Sequence, residues 1–156
     1  DDITNQKIID PMYKKFIQGS DVVVASRFIP GGSMIGCPLV KSILVRAASF
    51  SLFMLSSIPV KDASNGFRLF SRKVLNLINI QSTHGFTYSL EILVKCNRLK
   101  LPIAEVPAQW IERKEGKSNF KVLFWLKMYL RWYRYGLETT WFNSPITPQC
   151  LNRKDK

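Results

Sequence analysis

Hydrophobic and polar positions follow two different periods along this chain, and the switches between them predict its elements. Over residues 8–18 the apolar positions keep helical spacing until Gly19, a C-terminal stop. Asp21-Val22-Val23-Val24-Ala25 then sets apolar residues side by side without alternation. Such a run marks a strand buried on both faces, of the kind found in parallel sheets. Pro30-Gly31-Gly32-Ser33 is a turn. Residues 38–57 return to helical spacing, with Ser42, Arg46 and Ser49 at i, i+4 and i+7 as one polar stripe on a largely apolar helix. Lys41 lies beside the stripe, and Pro59 stops the helix. Residues 62–66 read as a turn, 67–70 as a short strand and 72–78 as a helix with Ser71 at its N-cap position.

Helical spacing resumes over 87–99, where Leu90, Leu93, Val94 and Asn97 share one side. Residues 103–112 alternate and read as one strand, with Pro107 requiring an edge position or a bulge. Its apolar neighbours place Trp110 in the core. A charged loop containing Gly116 follows over 113–119, then a long aromatic helix over 120–140 and a polar tail expected to be disordered. Helices alternating with buried strands predict an α/β fold. In open α/β sheets, ligands sit outside the carboxyl ends of the strands. That rule points at Ser26-Arg27, after the first strand, and at the loop beginning with Arg113.

Composition narrows the function. The 156 residues suit one domain, and 46% hydrophobic against 22% charged residues excludes a wholly disordered chain. Twenty-three Lys and Arg against eleven Asp and Glu leave a net charge of +12, which calls for an anionic partner. Nucleic acid, a phosphate-bearing substrate and an acidic membrane surface all qualify. Cys37, Cys96 and Cys150 match no metal-ligand spacing and read as reduced thiols, and the single histidine, His84, argues against a zinc site. No signal peptide is visible, so a cytoplasmic location is expected. The longest uncharged apolar run, residues 47–60, is interrupted by serines and falls short of the ~20 residues a membrane-spanning helix needs.

Five short motifs occur in one order: Ala25-Ser26-Arg27-Phe28; Pro30-Gly31-Gly32; Asp62-Ala63-Ser64-Asn65-Gly66-Phe67-Arg68; Glu105-Val106-Pro107; and Arg113 with Gly116-Lys117-Ser118. Together they resemble the dolichol-phosphate mannosyltransferase-like branch of the family 2 glycosyltransferases, from Asp1 to about Tyr135. The resemblance implies an α/β nucleotide-diphospho-sugar transferase (GT-A-like) fold with a mixed sheet, here lacking its N-terminal donor-binding half. It implies transfer of a sugar from a nucleotide-sugar donor to a polyprenyl (dolichol-type) phosphate, with inversion. Residues 1–119 would be the acceptor-side part of the catalytic domain, 120–142 an amphipathic aromatic and basic helix, and 143–156 a polar tail. Without its donor half the chain alone is expected to be inactive.

The same resemblance distributes roles. Asp1 and Asp2 look like the remnant of an acidic motif that holds Mg²⁺ or Mn²⁺, hard cations that take oxygen ligands while bridging a diphosphate. Two solvated acids at a frayed terminus are the other reading. Arg27 corresponds to an arginine that contacts the acceptor phosphate, a task suited to a charged bidentate guanidinium, with Ser26 beside it. Lys41 stands where the family has a second arginine, and Val45 where it has a serine. Arg46 is the residue that could compensate. Gly31, Gly32, Asn65 and Gly66 shape turns, while Arg68 braces the site or neutralises phosphate. Asp62 is expected chiefly to position its neighbours, with general-base catalysis as the minority view. A phosphate acceptor, with its second pKa near 6, is already largely a dianion at about pH 7 and needs no base. Glu91, four residues before Lys95, is either half of a helical ion pair or an acid near the acceptor. Arg113 and Gly116 match a loop that meets phosphates; Asn119 stands where that loop has its lysine, and Lys117, two residues earlier, is the residue that could substitute.

On the last helix Lys127, Arg131, Arg134 and Glu138 share one face, and Trp125, Tyr129 and Trp132 another. That pattern fits a helix lying in a bilayer interface and fits equally a helix docked on its own protein. The expectation is therefore a peripheral, metal-dependent glycosyltransferase whose partners are a nucleotide sugar, a polyprenyl phosphate and an anionic membrane surface. The rivals are a basic nucleic-acid-binding module and a non-catalytic membrane-surface adaptor. The first leaves the Gly-Gly loop and the Asp62 turn unexplained, so no nucleic-acid partner is expected.

Overall fold

Val22-Val23-Val24-Ala25 forms the middle of the molecule because both of its faces are covered. The structure, a computed structural model, describes residues 7–83, 87–111 and 122–142, with side chains from 129 onward in the last stretch. Its elements in chain order are α1 (Ile9–Ile17), β1 (Val22–Ser26), β2 (Ser33–Ile35), α2 (Leu39–Leu55), β3 (Arg68–Phe70), α3 (Arg72–Leu77), α4 (Thr87–Arg98), β4 (Ile103–Pro107), β5 (Gln109–Ile111) and α5 (Val122–Trp141). β1 pairs in parallel with β4 and antiparallel with β3, giving a mixed sheet of order β3-β1-β4. The alternation of side chains along β1 divides the core. Val22 and Val24 point into a cluster with Leu52, Ile58, Leu90, Leu93 and Trp132, whereas Val23 and Ala25 meet Ile8, Met12 and Val106 under α1. The chain is thus α/β with helices on both faces of a mixed sheet, as its sequence predicts.

Several local expectations hold. Ser71 caps α3, its Oγ accepting from the Val74 amide at 3.2 Å. Cys96 is buried and Cys37 half-buried, both free thiols, and burial pushes the Cys96 thiol up to about 12.

Two expectations are corrected. Residues 103–112 do not make one strand. Ala108 ends it, because the Ala108 amide turns to the Ser26 carbonyl (2.8 Å) and its carbonyl accepts from Ser33 (3.0 Å). Beyond it β5 pairs in parallel with β2, a strand the turn signal at 30–33 concealed. Pro107, which has no N–H to donate, stands at the last pair of β4, opposite Ser26. Second, Trp110 is half-buried outside both core clusters, with the Lys41 ammonium 5.2 Å from its ring centre. In α2, Leu52 is buried and Arg46 exposed, but most of the apolar residues face outward. Ser49 of its polar stripe is buried and Ser42 half-buried, while Leu39, Val40, Ile43, Leu44, Phe50 and Met54 are exposed.

α5 is a docked helix along its described side chains. Trp132 is 3% exposed, donates to Ser82 Oγ at 2.9 Å and lies under the Lys95 ammonium. Gly136 lets α5 approach, since a Cβ there would lie 3.1 Å from Val94 Cγ1 and 3.3 Å from Leu52 Cδ1. Arg98 of α4 fastens the far end, donating to Thr139 Oγ1 (2.6 Å) and the Tyr135 carbonyl (2.9 Å). Burial raises the Tyr129 hydroxyl above its ordinary pKa, with nearby Arg68 and Arg27 opposing that effect. Tyr129 and Trp132 of the aromatic face are therefore packed into the core that α4 shares. The tail 143–156 and the loop 113–119 lie outside the described residues.

Candidate functional site

Arg27 leaves the carboxyl end of β1 directly into the 62–66 turn, where the open-sheet rule places a ligand site. It is 9% exposed, and the acid that receives it, Asp62, is 0% exposed. The guanidinium forms a fork: Nε donates to Asp62 Oδ2 at 2.7 Å and Nη2 to Oδ1 at 2.8 Å. The Arg27 backbone amide adds a third bond to Oδ2 at 3.0 Å, and Nη2 also donates to Ser64 Oγ at 2.6 Å. The turn then closes on the same carboxylate. Ser64 N (3.3 Å), Ser64 Oγ (3.0 Å) and Asn65 N (3.2 Å) all donate to Oδ1. Such closure of a turn on its first residue is the local habit of aspartate.

Six donors therefore converge on one buried carboxylate. Burial works to raise the Asp62 pKa, but the hydrogen bonds and charge of Arg27 outweigh it and hold the carboxyl below the usual range. Both oxygens of this carboxylate are thus filled by donors of the protein itself. The paired edge of the Arg27 guanidinium, Nε and Nη2, is turned to Asp62 rather than to an outside ligand.

The surrounding motifs serve the same geometry. Asn65 Nδ2 donates to the Ala25 carbonyl at 2.6 Å and ties the turn to β1. Gly66 is half-buried in that turn. Arg68 lies beneath, donating from Nε to the Asn65 carbonyl (2.8 Å), from Nη2 to the Ala63 carbonyl (2.7 Å) and from Nη1 to the Ser89 carbonyl. Burial lowers its pKa to about 10, so it remains a cation at neutral pH, and it acts as a brace. Gly32 packs on the strand end itself: a Cβ would lie 2.5 Å from the Ser26 carbonyl oxygen and 2.8 Å from the Arg27 carbonyl carbon. Gly31 adopts φ +88°, a conformation that favours glycine.

Ser26, expected at the acceptor phosphate, and Glu91, expected either near the acceptor or in an ion pair, are both taken up by contacts within the protein. Ser26 is fully buried, and its Oγ accepts from the Phe28 amide at 3.4 Å, so it shapes the strand end and is not displayed to a ligand. Glu91 is buried as well. It accepts from Lys95, from Gln81 N (2.7 Å) and from Ser82 N (2.7 Å), while Lys95 donates to the Asn79 carbonyl at 2.6 Å. The ion-pair reading is the one these contacts display. Arg46 does reach the site, because the Phe28 ring lies 5.1 Å from the Arg27 guanidinium carbon and 5.2 Å from that of Arg46. Lys41, over Trp110, ties α2 to β5.

Ser64 and Phe28 stood inside quoted motifs without a role. The Asp-x-Ser spacing of a side-chain-closed turn was the signal for the first, and the second had none. Asp1, Asp2, Arg113 and Lys117 lie outside the described residues. Among the described residues no group of three or more His, Cys, Asp or Glu side chains could hold a metal ion. No helix among them is long and apolar enough to cross a membrane.

No family model matches the chain. It is 24% identical over 133 residues to a protein of Micrococcus luteus named undecaprenyl-phosphate mannosyltransferase, a match covering 84% of this chain and 55% of that protein. It is 27% identical over 104 residues to one of Mycolicibacterium smegmatis named polyprenol monophosphomannose synthase, covering 65% of this chain and 39% of the relative. The chain thus spans about half the length, or less, of these curated relatives. Similarity to curated proteins with these two names therefore extends along most of the chain, beyond the five short motifs.

Proposed function

We propose that this chain is the acceptor-side part of a glycosyltransferase that moves a sugar from a nucleotide-sugar donor to a polyprenyl phosphate. The observation that carries the reading is Arg27, held at the carboxyl end of β1 by the buried fork to Asp62. The names of the relatives make mannose the first sugar to test. A phosphate acceptor with a second pKa near 6 attacks as a dianion, so the site has to place and neutralise charge rather than remove a proton. A guanidinium whose direction is set before the lipid arrives supplies both, and a single in-line displacement would invert the anomeric centre. Arg46 and Lys41 add positive charge beside it. A divalent cation, which Asp1 and Asp2 would hold, belongs to the same proposal and is supported by the sequence resemblance alone.

The test is transfer by the whole protein from labelled nucleotide sugars to polyprenyl phosphate, with Arg27→Lys beside the native chain. Lysine keeps the charge and loses the fork. Charge-assisted hydrogen bonds are worth about 1.5–3 kcal/mol, so the variant should lose tenfold or more in kcat/KM. Native kinetics in Arg27→Lys, or no lipid-linked sugar from any donor, would overturn the proposal.

The exposed face of α2 supports a membrane-surface location for this chemistry. Leu39, Val40, Ile43, Leu44, Phe50 and Met54 form an outward apolar stripe, with Lys41 and Arg46 on the same helix. Trp141 and Phe142 are also exposed, and Trp141 Nε1 donates to the Leu55 carbonyl at 2.7 Å, joining the end of α5 to the same helix. Apolar residues beside cations fit the headgroup boundary of an anionic leaflet. Changing Ile43 and Phe50 to glutamate should release the protein from anionic liposomes in flotation without lowering its melting temperature. Unchanged flotation would remove α2 as the contact.

A further inference from the structure

Glu105 belongs to a quoted motif, yet the proposed mechanism leaves it without a task. It lies on β4 opposite Val24, and its side chain reaches the start of the Asp62 turn. Oε1 accepts from Lys61 N at 2.9 Å and from Asp62 N at 3.1 Å. Successive amides converging on one point make an anion-binding concavity, and here the protein fills it with its own carboxylate. A negative charge beside a site that has to receive anions is unfavourable, so its presence needs a reason. The hydrogen bonds of the turn provide one. Ser64 and Asn65 close onto the Asp62 side chain, and Asn65 ties the far end of the turn to β1. Glu105 ties the near end to β4.

We infer that Glu105 is a positioning residue: by clamping the Lys61 and Asp62 amides to β4 it fixes how Asp62 meets Arg27, and through that fork where the guanidinium meets the acceptor phosphate. The last clause rests on the proposed function. The clamp itself rests only on the geometry. The carboxylate is preferred over a neutral acceptor because charge-assisted bonds are the stronger kind. Glutamine retains an oxygen at the same reach, whereas alanine retains nothing.

Glu105→Ala and Glu105→Gln separate the two parts of the inference. In this chain, amide hydrogen exchange at residues 61–65 should quicken about tenfold or more in the alanine variant, with α4 and β1 still protected, and stay near native with glutamine. The Arg27 Nε–H resonance, placed by its 2.7 Å bond to Asp62, should move or broaden in Glu105→Ala and return in Glu105→Gln. In the whole protein, Glu105→Ala should raise the acceptor KM and lower kcat/KM about tenfold while the donor KM stays put, with glutamine restoring most of the loss. Native exchange and an unmoved Arg27 signal in Glu105→Ala overturn the clamp. Altered exchange with unchanged acceptor kinetics overturns the positioning role, and so does glutamine as poor as alanine. If the native protein transfers no sugar to polyprenyl phosphate, the proposed function fails, and the Arg27 resonance still decides whether Glu105 sets that fork.

Discussion

Replacing Asp62 by asparagine changes one atom and should unfold the site. The carboxylate accepts from Arg27 N, Nε and Nη2, from Ser64 N and Oγ, and from Asn65 N. An amide must put an N–H in one of the two oxygen positions. On the Oδ2 side it would face Arg27 Nε, 2.7 Å away, and the Arg27 amide at 3.0 Å. On the Oδ1 side it would face Nη2 at 2.8 Å and the Asn65 amide at 3.2 Å. Either way donors oppose donors, and the Arg27 charge is left unpaired. Removing one partner of a buried pair costs about 3–5 kcal/mol. The Arg27 side chain is 10% exposed, so water offers it little relief, and the lower end of that range is the expectation. For a domain of this length each kcal/mol shifts the melting temperature by about 2–4 °C, which gives a fall of about 6–12 °C.

The pH dependence follows from the direction of the shift. The folded Asp62 pKa lies below its ordinary value of 3.8, so its stabilisation is complete above that value and is lost as pH falls through the folded one. The gap between native protein and Asp62→Asn should therefore stay constant from neutrality to about pH 5 and close at lower pH. Thermal melts followed by circular dichroism at several pH values measure it. A gap under about 2 °C at neutral pH, well below the range expected from a broken buried pair, would refute the reasoning, as would a gap that widens with acid.

Three further substitutions probe the frame around the site. Gly32→Ala drives a Cβ to 2.5 Å from the Ser26 carbonyl oxygen, so backbone must move, and both the melting temperature and transfer by the whole protein should fall; Gly31→Ala, 3.2 Å from a Pro107 side-chain carbon but at φ +88°, should cost about 1–2 kcal/mol in the same melts. Trp132→Ala empties a buried site on α4 and should cost about 3–5 kcal/mol by chemical denaturation, whereas a helix working only at a membrane would leave stability unchanged.

The valine run of β1 could be read in advance because burial on both faces leaves no polar position to accommodate; parallel pairing followed from the same fact, but neither the identity of β4 nor the antiparallel β3 on the other side did. The Ser71 cap, the 62–66 turn and the helix boundaries at Gly19 and Pro59 were legible because they are local: each depends on residues within a few positions of one another. The place of Arg27 at a strand end was legible for the same reason. What holds Arg27 was not, because its partner is Asp62, thirty-five residues away, and no periodicity records such a pairing. Distance in sequence also hid the Glu105 clamp and the Phe28 ring between Arg27 and Arg46. The strand over 103–112 read as one because alternation continues through Ala108, and only its change of partner from β1 to β2 divides it. Amphipathic pattern states that a helix has two faces, not what covers each. Tertiary packing set Tyr129 and Trp132 of α5 into the core that α4 shares and left the apolar stripe of α2 outward, because α2 turns Ser49 and Leu52 to the interior.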